Sequence, residues 1–241
     1  MNSLAINAEK RPQHFALTLA FVLATVLFAL QTANTQQLQK GVSVVMAVTR
    51  YAAPMPEADN QDAWIVTLTA DGSLFFGTDP VTPESLADVM KNRPRNRQAK
   101  LYIKADSRAP FANVERVLEA SRTVSFETAV LLTSQPQPSA PGTIVPPIGL
   151  EVLVGTASSA VSAESIVVQL NSGQPSPALK VNNEDASWAG LQNTLRRVLQ
   201  NRSEKVVLVK VAGPVKLTYV AYVIDVARSA GAQVALPSPT L

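Results

Sequence analysis

Few residues in this chain are equipped to make or break covalent bonds. It has no cysteine and a single histidine, His14, which removes thiol nucleophiles, Cys/His metal clusters and a Ser/His/Asp triad from consideration. Asp106 follows an apolar run, but it has no paired base, so a turn role is expected of it. Trp64 and Trp188 read as core or rim packing, and His14 as an interfacial residue. What remains is positive charge. Lys91, Arg93, Arg95, Arg97 and Lys100 follow one predicted helix, and Arg196, Arg197, Arg202 and Lys205 occupy the corresponding place after another. This pattern suits a duplicated basic edge that meets an acidic partner or peptidoglycan carboxylates. The blander and preferred reading is a solvated helix end with cations near the negative pole of the dipole. No enzymatic activity, metal or cofactor is expected. A net charge of +3 without a dense basic stripe argues against nucleic acid.

The elements that must position these groups are written twice. Val206 to Ala235 reads as strand, tight turn, amphipathic helix and the start of another strand. Sliding back by about 106 positions gives Leu101 to Val130, with Lys104 over Lys210, Phe111 over Leu217, Val117 over Val223 and Arg122 over Arg228. Upstream of each unit lies a strand, a turn and a returning strand. In the first copy these are Trp64 to Thr69, Asp71-Gly72 and Leu74 to Gly77. In the second they are Ser165 to Leu170, Ser172-Gly173 and Leu179 to Asn182. A helix follows each hairpin. Thr82-Pro83-Glu84 opens the first, with Thr82 as N-cap and Leu86, Val89 and Met90 as its apolar face. Asp185 or Ser187 is expected to cap the second, with Trp188, Leu191, Leu195 and Val198 as its stripe.

Ahead of the repeats, residues 12–39 contain no Asp, Glu, Lys or Arg, and Phe15 to Leu30 is apolar apart from Thr18 and Thr25. At about 1.5 Å per residue such a helix approaches the thickness of a hydrocarbon core. Lys10 and Arg11 precede it and no basic residue follows before Lys40, which leaves the N-terminus cytoplasmic. The competing reading, a cleaved signal peptide, lacks a small residue three before the plausible cut after Ala33. Five prolines between Ser134 and Pro147 mark a linker. The expected fold is therefore α+β: a transmembrane helix, then two tandem two-layer α/β sandwiches, each with two helices on a mixed sheet. The expected boundaries are a tail over 1–13, the span over 14–33, a first domain over 34–133, the linker over 134–148 and a second domain over 149–241.

This order of elements resembles the ExbD/TolR biopolymer-transport family. The resemblance is carried by Gly41 to Val45 (GVSVV), Val66 to Leu86 (VTLTADGSLFFGTDPVTPESL) and Leu101 to Arg122 (LYIKADSRAPFANVERVLEASR). The second copy is similar in Ile166 to Gly173, Leu179 to Leu191 and Lys205 to Ala232. The resemblance implies a single-pass inner-membrane protein with periplasmic domains. It implies a MotA/TolQ/ExbB-like proton channel and a TonB- or TolA-like protein as partners. An ExbD-like paralogue, a second copy of the chain and peptidoglycan are further expected contacts. The family carries an aspartate in the first half of its membrane helix as a proton relay, and Phe15 to Leu30 has no carboxylate. An accessory role in the transport complex follows, with a membrane-tethered binding or scaffold module as the alternative. Partner contact is expected at Lys91, Arg93, Arg97, Arg196 and Arg202. It is expected also at Val42 and Val44, because Val42 to Val48 is apolar and a strand there would have an open edge.

Overall fold

The computed structural model describes residues 42–94, 99–137, 145–154 and 165–237. The expected tail and membrane span, residues 1–33, and Arg97 lie outside the described residues. No helix among the described residues is long and apolar enough to cross a membrane. The described residues within Gln39–Leu241 form one compact unit.

Both copies fold in the same order. The first runs β2 (Trp64–Leu68), β3 (Leu74–Phe76), β4 (Asp79–Val81), α1 (Pro83–Asn92), β5 (Leu101–Ala105), α2 (Phe111–Thr123) and β6 (Thr128–Thr133). The second runs β8 (Ile166–Asn171), β9 (Ala178–Val181), β10 (Glu184–Ala186), α3 (Leu191–Leu199), β11 (Val206–Ala212), α4 (Leu217–Ser229) and β12 (Gln233–Ala235). In each copy the hairpin strands are antiparallel, and the strands joined through a helix are parallel.

Local chemistry explains most of these elements. Asp71-Gly72 turns β2 into β3, with Gly72 at φ +92°, a conformation that favours glycine. Thr82 caps α1 through a capping box, its hydroxyl accepting the Ser85 N–H at 3.2 Å while the Ser85 hydroxyl accepts the Thr82 N–H at 3.1 Å. Pro83 stands in the first turn, where its missing N–H costs nothing. Two expectations for the second copy need correction. Asp185 pairs with Lys180 in the edge strand β10 and caps no helix. Trp188 lies before α3, which starts at Leu191 behind the turn closed by Ser187 and Gly190. The buried stripe of α3 is Leu191, Leu195 and Leu199.

The two copies share one sheet. Its strand order is β10-β9-β8-β11-β12-β7-β6-β5-β2-β3-β4, with β7 spanning Ile148–Leu153. β7 pairs antiparallel with all of β6, from Thr128↔Leu153 to Thr133↔Ile148. On its other side it meets β12 at Ala235↔Leu153 and the short β1 (Ala53–Pro54) at Ala53↔Gly149. Among the described residues, helices α1 to α4 pack on one face over a common core that runs from Trp64 and Leu118 to Leu195 and Val223. On the opposite face of the first copy, Met55, Ala58 and Ala63 cover Ile65, Tyr102, Val130 and Leu132. The turns after β5 and β11 also meet. Phe111 N–H donates to Val215 C=O at 2.8 Å, and Leu217 N–H donates to Ala109 C=O at 2.9 Å, so equivalent positions of the copies exchange hydrogen bonds.

Candidate functional site

The segment between the expected span and β2 runs across the ends of strands. Sequence alone suggests a strand over Val42 to Val48. The structure shows an extended strap with one isolated bridge, Val48 to Ser134. The reason lies in its partners. Val45 N–H donates to Asp106 Oδ2 at 3.1 Å, and Val45 C=O accepts from Ser107 N–H at 2.8 Å. Ala47 C=O accepts from Ser134 N–H at 2.9 Å, and Thr49 N–H donates to Ser134 C=O at 3.0 Å. Asp106 and Ser107 follow β5, and Ser134 follows β6, so the strap crosses strand ends and does not run along an edge.

A second carboxylate fixes the far end of the strap. Asp225, in the middle of α4 and only 5% exposed, accepts the backbone N–H of Arg50 at 2.9 Å and of Tyr51 at 2.8 Å. Tyr51 Oη accepts from Gln192 Nε2 at 3.3 Å. The strap therefore lies against α4 of the second copy while its start is held by the first. Asp106 is itself buried and receives Arg108 Nε and Nη2, each at 2.8 Å. The Arg108 side chain and the backbone N–H donors hold this carboxyl well below the usual carboxylate range, outweighing the burial that pushes the other way.

Asp106 is thus more than a turn residue, and its reach to Val45 has no local signature in sequence. Neither does Asp225, which reads as one polar residue on an apolar helix. Beside the strap, Thr49, Arg50, Ala52, Pro54, Gln135 and Ile148 line an open cleft of about 560 Å³.

The expected contact residues fall apart into separate settings. Lys91 pairs with Asp88 at 3.2 Å on the surface of α1. Arg93 folds inward: its guanidinium lies 5.0 Å from the Phe76 ring centroid and 5.5 Å from that of Trp64, and it donates to Asp62 C=O at 3.3 Å. Arg196 is exposed near the end of α3, and Arg202 is half-buried just beyond it. The helices pack in the order α1, α2, α4, α3, so the two basic groups stand at opposite ends of the layer. Val42 and Val44 are half-buried at the start of the strap. Among the described residues, no cluster of three or more His, Asp or Glu side chains converges on a metal-sized site.

Residues 18–136 match the family model described as Biopolymer transport protein ExbD/TolR. The matched range takes in most of the apolar N-terminal segment, the strap and the whole first copy, and ends in the linker. No curated protein and no solved structure matches the chain.

Proposed function

We propose, from the premise that residues 18–136 belong to the ExbD/TolR family, that this protein is an inner-membrane component of a proton-motive-force-driven biopolymer-transport complex, working in an accessory role. The family as a whole works with ExbB/TolQ-type channel proteins and TonB/TolA-type proteins, and contact with both classes is part of the proposal. Phe15 to Leu30 would anchor the chain with its N-terminus in the cytoplasm. The remainder would lie in the periplasm, where the second copy is a duplicate of the family domain fused into the same sheet.

The observation that carries the accessory role is the composition of the span. Between Phe15 and Leu30 the only polar residues are Thr18 and Thr25, and neither hydroxyl titrates in the physiological range. A proton relay through the membrane needs a group that changes charge, so the channel's proton step falls to another chain. A paralogue that keeps the aspartate would supply it. Purification in mild detergent tests this reading: an ExbB/TolQ-type subunit is expected to come down with the full chain. Its absence, with binding to purified sacculi alone, would replace this reading with the scaffold alternative.

A further inference from the structure

We infer that the face formed by the strap and the first turns of α4 docks on the surface of an anionic lipid bilayer. Four of the six large apolar side chains exposed among the described residues gather there: Val45 at 60%, Val48 at 61%, Tyr51 at 45% and Tyr222 at 42%. Their proximity follows from hydrogen bonds. Val45 C=O accepts from Ser107 N–H, and Ser107 C=O accepts from Thr218 N–H at 3.0 Å, which sets Val45 beside the first turn of α4. Asp225 binds the strap at Arg50 and Tyr51, one turn beyond Tyr222. The strap thus runs along α4 from Thr218 to Asp225. Exposed apolar side chains scattered singly need no explanation, but a rigidly held group of them does.

The charge around this group is one-sided. Arg50 and Lys216 are exposed at its rim, while the nearby carboxylates are buried beneath it, Asp106 paired with Arg108 and Asp225 accepting the Arg50 and Tyr51 backbone N–H groups. Valine and tyrosine at the centre with arginine and lysine at the edge suit the boundary between acyl chains and anionic headgroups. The position in the chain points the same way. Eight residues separate Ala33, the end of the proposed span, from Val42, a tether of at most about 30 Å. The strap is the described part of the chain nearest the membrane in sequence, and a lipid surface is the one partner such a tether always brings within reach. The inference rests on the proposed anchor only for this last step.

The test separates the two readings. A chain beginning at Gln39, which forms a compact unit of its own, is titrated with vesicles of phosphatidylglycerol and of phosphatidylcholine. It is expected to sediment with phosphatidylglycerol and to be released as salt rises. Arg50→Gln and Lys216→Gln are each expected to weaken binding by about fivefold, the equivalent of about 1 kcal/mol per cation near such a surface. Val48→Asp with Tyr51→Asp is expected to abolish it while the urea midpoint stays put. In the full chain, brominated phosphatidylglycerol in nanodiscs is expected to quench Trp188, whose ring centroid lies 5.9 Å from that of Tyr222. No sedimentation with phosphatidylglycerol, or binding unchanged in the Val48/Tyr51 double variant, would overturn the inference. Protection of this face by a channel subunit in lipid-free detergent would overturn it in favour of a protein contact. Alkaline carbonate extraction of the full chain reports on the anchor independently, so the docking face can fail while the anchor stands.

Discussion

Asp106 concentrates several interactions on one carboxylate: two from the Arg108 side chain, one from its backbone and one from Val45, 61 residues away in sequence. Removing such an acceptor takes away several hydrogen bonds to a charged group, so Asp106→Ala is expected to cost about 2 kcal/mol in urea unfolding. Arg108→Ala is expected to cost less, because its guanidinium is exposed and the carboxylate keeps its backbone donors. The sign of the pH dependence follows from the direction of the shift. The folded pKa lies below the unfolded value of about 3.9, so the stabilisation is complete above roughly pH 4 and is lost as acid protonates the folded carboxyl. The difference between wild type and Asp106→Ala in urea should therefore be constant above roughly pH 4 and shrink progressively as the pH falls below it. Tyr102 has the opposite shift: burial first, then the neighbouring Glu57, push its phenol up to about 12. Its contribution is intact below the unfolded value of about 10 and declines as pH rises from there toward the folded value. Tyr102 is expected to resist ionisation until about pH 12 in an ultraviolet titration, and Tyr102→Phe is expected to remove that late step.

Elements whose signals are local were readable from the sequence, and elements defined by distant contacts were not. Thr82-Pro83 with Ser85 fixes the start of α1, Asp71-Gly72 fixes the first hairpin, and the apolar run from Thr128 sets β6 within a stretch of six residues. The strap and β7 are different. An apolar run such as Leu150 to Val154 announces a strand but not its neighbours. The strap reads as a strand by composition, yet Asp106, Ser134 and Asp225 take its polar groups from three separate elements. The same limit applies to the basic clusters, because nothing in Lys91 to Lys100 foretells that Arg93 turns inward over Trp64 and Phe76. The crowding at β7 gives a sharp test. A Cβ at Gly149 would clash with the Val130 Cγ1 methyl and stand 3.2 Å from the Leu131 carbonyl oxygen and 3.3 Å from Met55 Cγ. Valine is stiff at χ1 and cannot withdraw easily, so Gly149→Ala is expected to destabilise by about 1–3 kcal/mol in urea unfolding. A midpoint at or above that of wild type would mean that the centre of the sheet is looser than these contacts imply.

At the scale of the whole molecule, the internal repeat produces a joint structure. Sequence periodicity separates the copies at the proline-rich stretch between Ser134 and Pro147, and composition there suits a linker. Immediately beyond it the backbone enters β7, which pairs with six residues of β6 and meets β12. Further links cross the same boundary. Arg122 of α2 donates to Val154 C=O at 2.5 Å and to Leu236 C=O at 2.7 Å, and the α2 and α4 turns exchange backbone hydrogen bonds. Long-range pairs of this kind have no pattern that a window of residues could reveal, which is why the repeated order of elements was legible and the shared sheet was not. The sheet also ends in poor templates for a further chain: β4 is three residues with Pro80 in its middle, and β10 is three residues that begin with Glu184 and Asp185. A continuous core and a strand shared by both halves predict one cooperative transition in place of two. Calorimetry of the chain beginning at Gln39 is expected to give a calorimetric enthalpy equal to the van't Hoff enthalpy. A protease site introduced between residues 138 and 144 carries the argument further. After cleavage the halves are expected to co-elute under native conditions, because β6 and β7 stay paired, and to part only in denaturant. A lone fragment ending at Gln137 leaves the β7 side of β6 unpaired and exposes its apolar residues, so that half is expected to aggregate or remain unfolded. Free elution of two folded halves would instead show that each copy closes its own core.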